Sequence, residues 1–469
     1  MFKKCVTIVI LMMLSVYPLH IRFNPLESEA PYGERVHNLD TGLNYTRVQD
    51  AIYAPETLNR QTILVDGGTY HENIIVNKAV SLVGDKTETT IIEGNGVGSV
   101  MELTVDNATV TGFVIRNSGI GWGQSGVALN SVRGCNVSRN NITDNYYGLW
   151  LYSSMNNSAS GNNLANNSYG MGVYGTSNDN RVFNNNVTAS NHAGILLVSS
   201  SNNEICENNV TNNQYSIELV SSSSNIILGD NITNNSHGIA LYESSNSNDV
   251  HENTIQNNGW GIELDTSLNN RIYHNNFIDN FPQALCDSHY SNVWDYGYPS
   301  GGNYWSNHTA ADSNRDGIED SWHIIDENNT DHYPLNGIFH GYIIDYVEPG
   351  RIYRVELISN STISNLDVAV SPEQSRNRRV IIDVMAGEGT GFCRATIPHD
   401  LLSPPYNVAI NDNPLLQNTM YENETLSIIY VSYEQPKAEI VIVPEFPSLI
   451  APSLFMIVAL LVVLVQRRQ

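Results

Sequence analysis

The segment GILLVSSSNNEICENNVTNNQY, residues 194–215, contains one complete unit of a repeat that runs through the middle of the chain. Its apolar side chains alternate at Ile195 and Leu197, and they return after polar breaks at Ile205 and Val210. Alternation over a few residues, followed by a polar turn and another short apolar run, is typical of β-strands rather than of a helix. The unit therefore predicts short strands separated by turns.

The same unit recurs at a nearly constant spacing, with successive copies 22, 22, 24, 22, 22 and 23 residues apart. The copies begin at Gly126, Gly148, Gly170, Gly194, Ser216, Gly238 and Gly261. A unit of this length cannot bury an apolar face alone, but stacked units can, with about 4.8 Å between successive strands. We therefore predict an all-β solenoid with one repeat per coil.

Asparagine marks the turns of the repeat: 37 of the 61 asparagines lie between residues 126 and 287. One set precedes the last strand of each unit, at Asn140, Asn162, Asn185, Asn208, Asp230, Asn253 and Asn275. A second set follows five residues later, at Asn145, Asn167, Asn213, Asn235, Asn258 and Asn280. We expect these side chains to stack into hydrogen-bonded ladders, which is a structural role rather than a catalytic one.

Less regular coils before the repeat contain TILVDGGTY at residues 62–70 and SLVG at residues 81–84, and GNYWS follows at residues 302–306. With the asparagine-rich coils, these motifs resemble the NosD-like family of right-handed parallel β-helix proteins. The resemblance implies that fold over residues 36–337, with regular repeats over residues 126–287. Members are named as periplasmic copper-binding proteins, and similar coils occur in carbohydrate-binding proteins and sugar hydrolases.

The regions that flank the repeat suggest a cap, a closing segment and a second domain. Thr46-Arg-Val-Gln49 fits a capping box that opens a helix at about residues 46–54, placed to cover the first coil. Residues 302–335 close the last coil. Residues 338–443 contain fewer asparagines and several apolar runs at the spacing of a small β-sandwich.

The two ends predict export and attachment to a membrane. Residues 1–30 begin with lysines and an apolar run, as in a signal peptide or N-terminal anchor. Residues 444–469 resemble the archaeal PEF-type tail: Pro-Glu-Phe, an apolar transmembrane helix over residues 449–465 and terminal arginines. We therefore expect a single-pass protein on the extracellular face of the cell membrane, and fourteen Asn-X-Ser/Thr sequons agree with a glycoprotein.

A net charge of −25 argues against a nucleic-acid partner, because phosphates require a basic surface. Polysaccharides, or glycans and proteins of the envelope, are better partners. The strand that begins each repeat unit has solvent-facing positions, and these combine aromatic rings and carboxylates. Both kinds of side chain are suited to binding sugars. The predicted ligand-binding residues are Trp150, Tyr152, Tyr174, Glu218, Tyr242, Glu263 and Asp265. Aromatic residues also populate exposed strands for structural reasons, so a purely structural role stays open.

Two other functions remain as alternatives to this non-catalytic role in binding or structure. A polysaccharide hydrolase or lyase requires two carboxylates across one bond, and Glu263 and Asp265 share one strand face. A copper-handling accessory would use soft or imidazole ligands, but Cys206 and His251 lie two coils apart, about 10 Å. The residues therefore do not favour copper.

The loop from Asp312 to Asp320 predicts a structural calcium ion. Oxygen ligands at positions 1, 3, 5 and 9, a glycine at position 6 and a backbone carbonyl at position 7 match the first part of a calcium-binding loop. The predicted ligands are Asp312, Asn314, Asp316, Ile318 and Asp320. His323 stands at position 12, where such loops have a bidentate glutamate, and a hydrated acidic turn is the alternative.

Overall fold

The computed structural model describes residues 35–444 apart from residues 315, 349–350, 360, 371–377, 386–390, 416–418 and 435. It confirms the all-β parallel β-helix, in which each coil supplies one short strand to each of three sheets. The predicted signal or N-terminal anchor over residues 1–30 and the predicted transmembrane helix over residues 449–465 lie outside the described residues. Within them, no helix is long and apolar enough to cross a membrane.

The three sheets, A, B and C, pair their strands in parallel from one coil to the next, except for two antiparallel strands at the start of sheet A. Sheet A contains Asn44–Tyr45, Val36–Asn38, Thr62–Val65, Ser81–Gly84, Thr109–Thr111, Asn136–Ser138, Ser158–Ser160, Arg181–Phe183, Glu204–Cys206, Ile226–Leu228, Asp249–His251 and Arg271–Tyr273. Sheet B contains Gly68–His71, Thr90–Glu93, Val114–Arg116, Asn141–Thr143, Asn163–Ala165, Asn186–Thr188, Asn209–Thr211, Asn231–Thr233, Thr254–Gln256, Asn276–Ile278 and Tyr304–Trp305. Sheet C contains Ile74–Val76, Met101–Leu103, Ser125–Asn130, Tyr147–Tyr152, Tyr169–Tyr174, Ala193–Val198, Tyr215–Val220, His237–Tyr242, Trp260–Leu264 and Ala284–Cys286.

The alternating apolar residues of the repeat form one continuous core inside the coils. Ile195 pairs with Ile217 one coil later, and Leu197 pairs with Leu219. All four side chains are fully buried. Because each apolar residue stacks on its equivalent in the next coil, the repeat length of the sequence sets the register of all three sheets.

Side-chain amides at the turns form the predicted ladders. Asn185 is representative: its Oδ1 accepts the backbone N–H and the Nδ2 of Asn162, both at 3.0 Å, and its own Nδ2 donates to the Ala159 carbonyl at 2.9 Å. Both predicted sets stack in this way, except at Ser190, which stands between Asn167 and Asn213 in the second set. Its N–H donates to Asn213, but its hydroxyl has no partner. A third ladder, which the sequence analysis missed, follows sheet C at Asn157, Asn180, Asn203, Asn225, Asn248, Asn270 and Asn292.

A short helix covers the first coil, but it is not capped as predicted. The helix spans Val48–Tyr53, and its N-cap residue Arg47 makes no side-chain capping hydrogen bond. Instead, the Glu72 carboxylate accepts the N–H groups of Val48 and Gln49 at 3.0 and 3.1 Å. The Gln49 side chain is therefore not a capping-box residue, and it bonds the backbone of Ile75 in the first strand of sheet C.

The other end of the solenoid is closed by two buried indoles. Trp305 stacks on Phe277 with ring centroids 4.4 Å apart, and its Nε1 donates to Asp331. Trp294 donates to Asn329 at 3.1 Å. The partners belong to a hairpin of the strands His323–Ile324 and Thr330–Asp331 within the predicted closing segment.

Two five-stranded antiparallel sheets follow and share one hydrophobic core. One contains His340–Glu348, Arg351–Ser359, Gly391–Pro398, Leu426–Tyr433 and Thr419–Glu422. The other contains Thr362–Val370, Arg378–Met385, Lys437–Pro444, Tyr406–Ile410 and Asn413–Pro414. Alternating strand residues such as Val380, Ile382 and Val384 fill the space between the sheets, as in a sandwich.

One ladder position holds a carboxyl group in place of an amide. Asp230 is fully buried, and its Oδ1 accepts the N–H and Nδ2 of Asn208, whereas its Oδ2 has no partner. At the equivalent positions Asn208 and Asn253 donate Nδ2–H to a carbonyl of the preceding coil. Burial raises the pKa of Asp230 to about 7, so the neutral acid, which can donate from Oδ2, is the form that the ladder stabilises.

We predict that Asp230→Asn stabilises the chain above neutral pH. The unfolded carboxyl has a pKa of about 3.9. The stability that depends on the neutral Asp230 is therefore complete below about pH 4 and is lost as the pH rises through about 7. Urea unfolding at pH 8 is expected to show a gain of about 1–3 kcal/mol for the variant, because a buried group regains its hydrogen bond.

The matched control is Asn253→Asp, which places a second carboxyl group in the same ladder. We expect it to lose stability at pH 8 and to retain most of it at pH 4. Equal stability of the wild-type chain and Asp230→Asn at both pH values would contradict the assignment.

Candidate functional site

The outer surface of sheet C holds the predicted ligand-binding residues, and we call it the C face. Strand register places them in two rows that run along the solenoid axis. The first row is Trp150, Gly172, Leu196, Glu218, Ala240 and Glu263. The second row is Tyr152, Tyr174, Val198, Val220 and Tyr242. Aromatic residues are therefore concentrated in the early coils, and carboxylates in the later ones.

Trp150 lies on the C face but is not open to solvent as expected, since only 2% of it is exposed. Trp122 packs edge-on against it with ring centroids 4.8 Å apart, and Tyr147 lies at 4.6 Å. Tyr174 adds a third contact at 4.5 Å, whereas Tyr152 remains 40% exposed. The predicted aromatic patch is therefore a packed cluster with an exposed rim.

Trp122 is the exposed indole of this cluster, and the sequence analysis missed it. It belongs to the loop before the strand Ser125–Asn130 and leans over Trp150, Tyr152 and Tyr174. The sequence contained a signal for it, because Trp122 lies between Gly121 and Gly123 in a polar break between strands. A tryptophan at such a position does not belong to the hydrophobic core. A loop that folds back over a strand cannot be located from the repeat spacing alone.

A third row on the C face is a stack of rings at the first residue of successive strands. The His237 ring lies between Tyr215 and Trp260, with centroid distances of 4.1 and 4.5 Å and nearly parallel planes. Each of the three residues directly precedes the first residue of a repeat unit, which was the available sequence signal. The stack borders the carboxylate end of the face, because it shares strands with Glu218 and Tyr242.

Glu263 is held in place by two side chains of the neighbouring strand. Its Oε2 accepts the Tyr242 hydroxyl at 2.8 Å and forms a short contact with His237 Nδ1. Its side chain is only 13% exposed. Burial, together with the hydrogen bond to Glu263, raises the pKa of Tyr242 above its usual range, so this hydroxyl remains a donor at neutral pH.

Glu218 is the second carboxylate of the face, and Ala240 lies between it and Glu263 in the same row. The two backbones are two strand spacings apart, about 10 Å. Burial raises the pKa of Glu218, and the nearby His237 partly offsets the shift. No hydrogen bond to its carboxylate is found among the described residues. We call Tyr215, Glu218, His237, Tyr242 and Glu263 the carboxylate cluster.

Asp265, the other predicted catalytic candidate, does not join the carboxylate cluster. It follows the end of the strand Trp260–Leu264 and is exposed. Glu263 instead turns towards His237 and Tyr242 on the preceding coil. The carboxylates that share a row of the C face are therefore Glu218 and Glu263, two coils apart, whereas Asp265 lies beyond the end of its strand.

The strand pairing of sheet A separates Cys206 and His251, the two residues considered as copper ligands. Leu228 lies between Cys206 and His251 on sheet A. The Cys206 thiol is buried, donates to Glu204 and has a pKa raised to about 12, mainly by burial. A protonated thiol of this kind is a poor metal ligand at neutral pH.

In the loop predicted to bind calcium, the carboxylates bond to the loop itself. Asp312, Asp316 and Asp320 accept N–H groups from within the loop at 2.9–3.0 Å. Asn314 is exposed, whereas Ile318 is buried in a small apolar cluster. Across the part of the chain that is described, no set of three or more His, Cys, Asp or Glu side chains is arranged for a metal ion. Calcium binding here stays a prediction.

Comparison with known proteins agrees with this architecture. The family described as periplasmic copper-binding protein (NosD) matches residues 33–188 and 184–310, more than half of the chain. The chain belongs to the NosD family. The resemblance drawn from the sequence motifs is thereby confirmed for the NosD-type coils.

Among curated proteins, the NosD-type region is similar to a cell surface glycoprotein of Methanothermus fervidus, with 33% identity over 118 residues. The match covers 25% of this chain and 19% of the relative, so the chain spans about a fifth of the length of that protein.

Solved structures show only distant similarity in fold. ORF18 of Geobacillus virus E2 has a TM-score of 0.44 and 14% identity, with 87% of this chain and 76% of that chain covered. DFA-IIIase of Arthrobacter chlorophenolicus with bound GF2 has a TM-score of 0.44 and 10% identity, covering 59% and 92%.

The calcium prediction is tested with Asp320→Asn, which removes a charge but keeps an acceptor for the loop N–H groups. We expect Ca²⁺ to raise the thermal midpoint of the wild-type chain and to raise that of the variant less, with equal midpoints in chelator. Asp265→Asn, an exposed acid elsewhere, should respond like the wild-type chain. A wild-type midpoint that is the same in Ca²⁺ and in chelator would rule out the site.

Proposed function

We propose that this NosD-family protein is exported and displayed at the cell surface, where its C face binds carbohydrate. The observation on which the proposal rests is the stack of Tyr215, His237 and Trp260 beside Glu218, a half-buried carboxylate without a partner among the described residues. The similarity to a cell surface glycoprotein and the periplasmic family description support export. Attachment through the predicted C-terminal helix remains part of the proposal.

The chemistry of the C face suits a sugar chain. Pyranose rings present C–H groups that pack on aromatic faces, and their hydroxyl groups donate well to carboxylates. The three rows place both kinds of group along one surface, with Trp122 and Tyr152 exposed at one end. Since the chain has a net charge of −25, we propose a neutral polysaccharide rather than a polyanionic one.

Binding at the C face predicts that Trp260→Ala weakens retention on the polysaccharide about fivefold, because one stacked ring is worth about 1 kcal/mol. Trp122→Ala is expected to have a similar effect at the aromatic end. Affinity electrophoresis of the full chain against a panel of neutral and acidic polysaccharides measures both.

Trp322→Ala is the matched control, because Trp322 is 61% exposed and belongs to the closing segment rather than to the C face. It should be retained like the wild-type chain. Equal losses in all three variants would indicate non-specific contact of exposed indoles, and retention unchanged in Trp260→Ala and Trp122→Ala would contradict the proposed face.

Hydrolysis of the bound polysaccharide is the second candidate function, and the Glu218–Glu263 pair favours it. Inverting glycosidases hold two carboxyl groups about 6.5–9.5 Å apart across the scissile bond. Glu263 turns towards the intervening coil, and the backbones of Glu218 and Glu263 are about 10 Å apart, close to this range. The protein therefore presents two carboxyl groups in different surroundings on one face.

The two glutamates would have different roles in hydrolysis because their surroundings differ. Glu218, with its raised pKa, would donate a proton to the glycosidic oxygen as the C–O bond breaks. Glu263, held by His237 and Tyr242, would take a proton from the water that attacks the anomeric carbon. The products are an alcohol and a hemiacetal of inverted configuration, and the proton gained by Glu263 returns to Glu218 through solvent.

Hydrolysis predicts that Glu218→Gln abolishes the release of reducing ends, whereas retention on the polysaccharide falls only in part because the stacked rings are unchanged. Asp265→Asn is the control, since its carboxylate stands apart from the cluster, and it should release product at the wild-type rate. Retention by the wild-type chain without any released product would remove the enzymatic function and leave the binding function intact.

A further inference from the structure

The fourteen Asn-X-Ser/Thr sequons fall into structurally different groups. Six begin within strands of the solenoid, at Asn44 and Asn136 on sheet A and at Asn141, Asn186, Asn209 and Asn231 on sheet B. Four begin at turns between strands, at Asn107, Asn156, Asn166 and Asn234. The others are Asn307, Asn328 and Asn423 outside strands, and Asn360 outside the described residues. None of the described sequons begins on a sheet C strand.

The sheet B sequons belong to an amide ladder on the outer surface of the solenoid. Asn186, Asn209 and Asn231 each donate through Nδ2 to the asparagine of the preceding coil at 2.7 Å. Asn141 accepts the same kind of bond from Asn163 at 2.9 Å. Nδ2 is the atom to which an N-linked glycan is joined, and in Asn186, Asn209 and Asn231 this atom is already bonded within the ladder.

The turn sequons differ in backbone conformation and in the bonding of their side-chain amides. All four asparagines are exposed and have left-handed backbones, with φ between 54° and 62°. Their backbone N–H groups bond to the next coil, so the turn itself is fixed. Among the described residues no hydrogen bond to their side-chain amides is found. A rigid, protruding turn with a free amide is accessible to a modifying enzyme.

We infer that N-linked glycans attach to Asn107, Asn156, Asn166 and Asn234 and that the four sheet B sequons stay unmodified. In the reaction, the asparagine Nδ2 attacks the anomeric carbon of a lipid-phosphate-linked oligosaccharide. A C–N bond forms, the bond to the lipid phosphate breaks, and a base takes the amide proton. The glycans then project from the turns and leave the C face uncovered.

Asn234 shows where a glycan would lie relative to the C face. It lies on a shallow groove of about 650 Å³ formed by the turns at residues 212–214, 234–236, 257 and 259. These turns join sheet B to sheet C. A glycan at this position covers the groove beside the stacked rings rather than the rings themselves.

The test is glycopeptide mass spectrometry of the full chain, exported from a host that glycosylates a co-expressed reporter sequon. We expect glycan masses on peptides with the four turn asparagines and unmodified Asn141, Asn186, Asn209 and Asn231. Ser158→Ala and Ser236→Ala each remove one turn sequon without changing its asparagine, and each should lose one glycan. Glycans on two or more of the sheet B sequons, or a chain without glycans beside a modified reporter, would overturn the inference.

Discussion

The hydrogen bonds of the turn asparagines are the constraint on which the rest of the solenoid depends. Three turns in every coil bring backbone groups into the interior, where water cannot satisfy them. One amide solves the problem at each turn: its carbonyl oxygen accepts an N–H of the previous coil, and its amino group donates to a buried carbonyl. A shift of one residue in any coil breaks all of these bonds at once, so the ladders fix the register of the sheets.

Because the register is fixed, residues one repeat apart become neighbours. The side chains that lie side by side on the outer surface can therefore be predicted from the sequence. The outward-facing residues of the C face differ in type from one coil to the next, whereas the turn asparagines and the apolar core residues recur from coil to coil. This is how a tyrosine, a histidine and a tryptophan come to stack at Tyr215, His237 and Trp260. Such a scaffold can present an extended surface to a repeating polymer, whose units meet similar groups in successive coils.

The parallel coils and two of the three ladders were predictable, since both follow from spacing alone. The third ladder was missed because the turn between sheets C and A differs in length between coils, as from Tyr152 to Ser158 and from Tyr174 to Arg181. Contacts that depend on side-chain direction were also missed. Trp122 covers Trp150 from a loop, and Glu72 rather than Gln49 caps the helix. The right-handed winding and the membrane tail stay predictions.

Hydroxyl-radical footprinting of the full chain, with and without a neutral polysaccharide, tests the proposed binding face most directly. The account predicts that the polysaccharide protects Trp122, Tyr152, Tyr215 and Trp260 from oxidation, while Trp322 and Tyr298, exposed elsewhere, stay as reactive as before. Protection confined to other surfaces, or no protection while the chain is retained on the polysaccharide, would contradict the C face as the binding site.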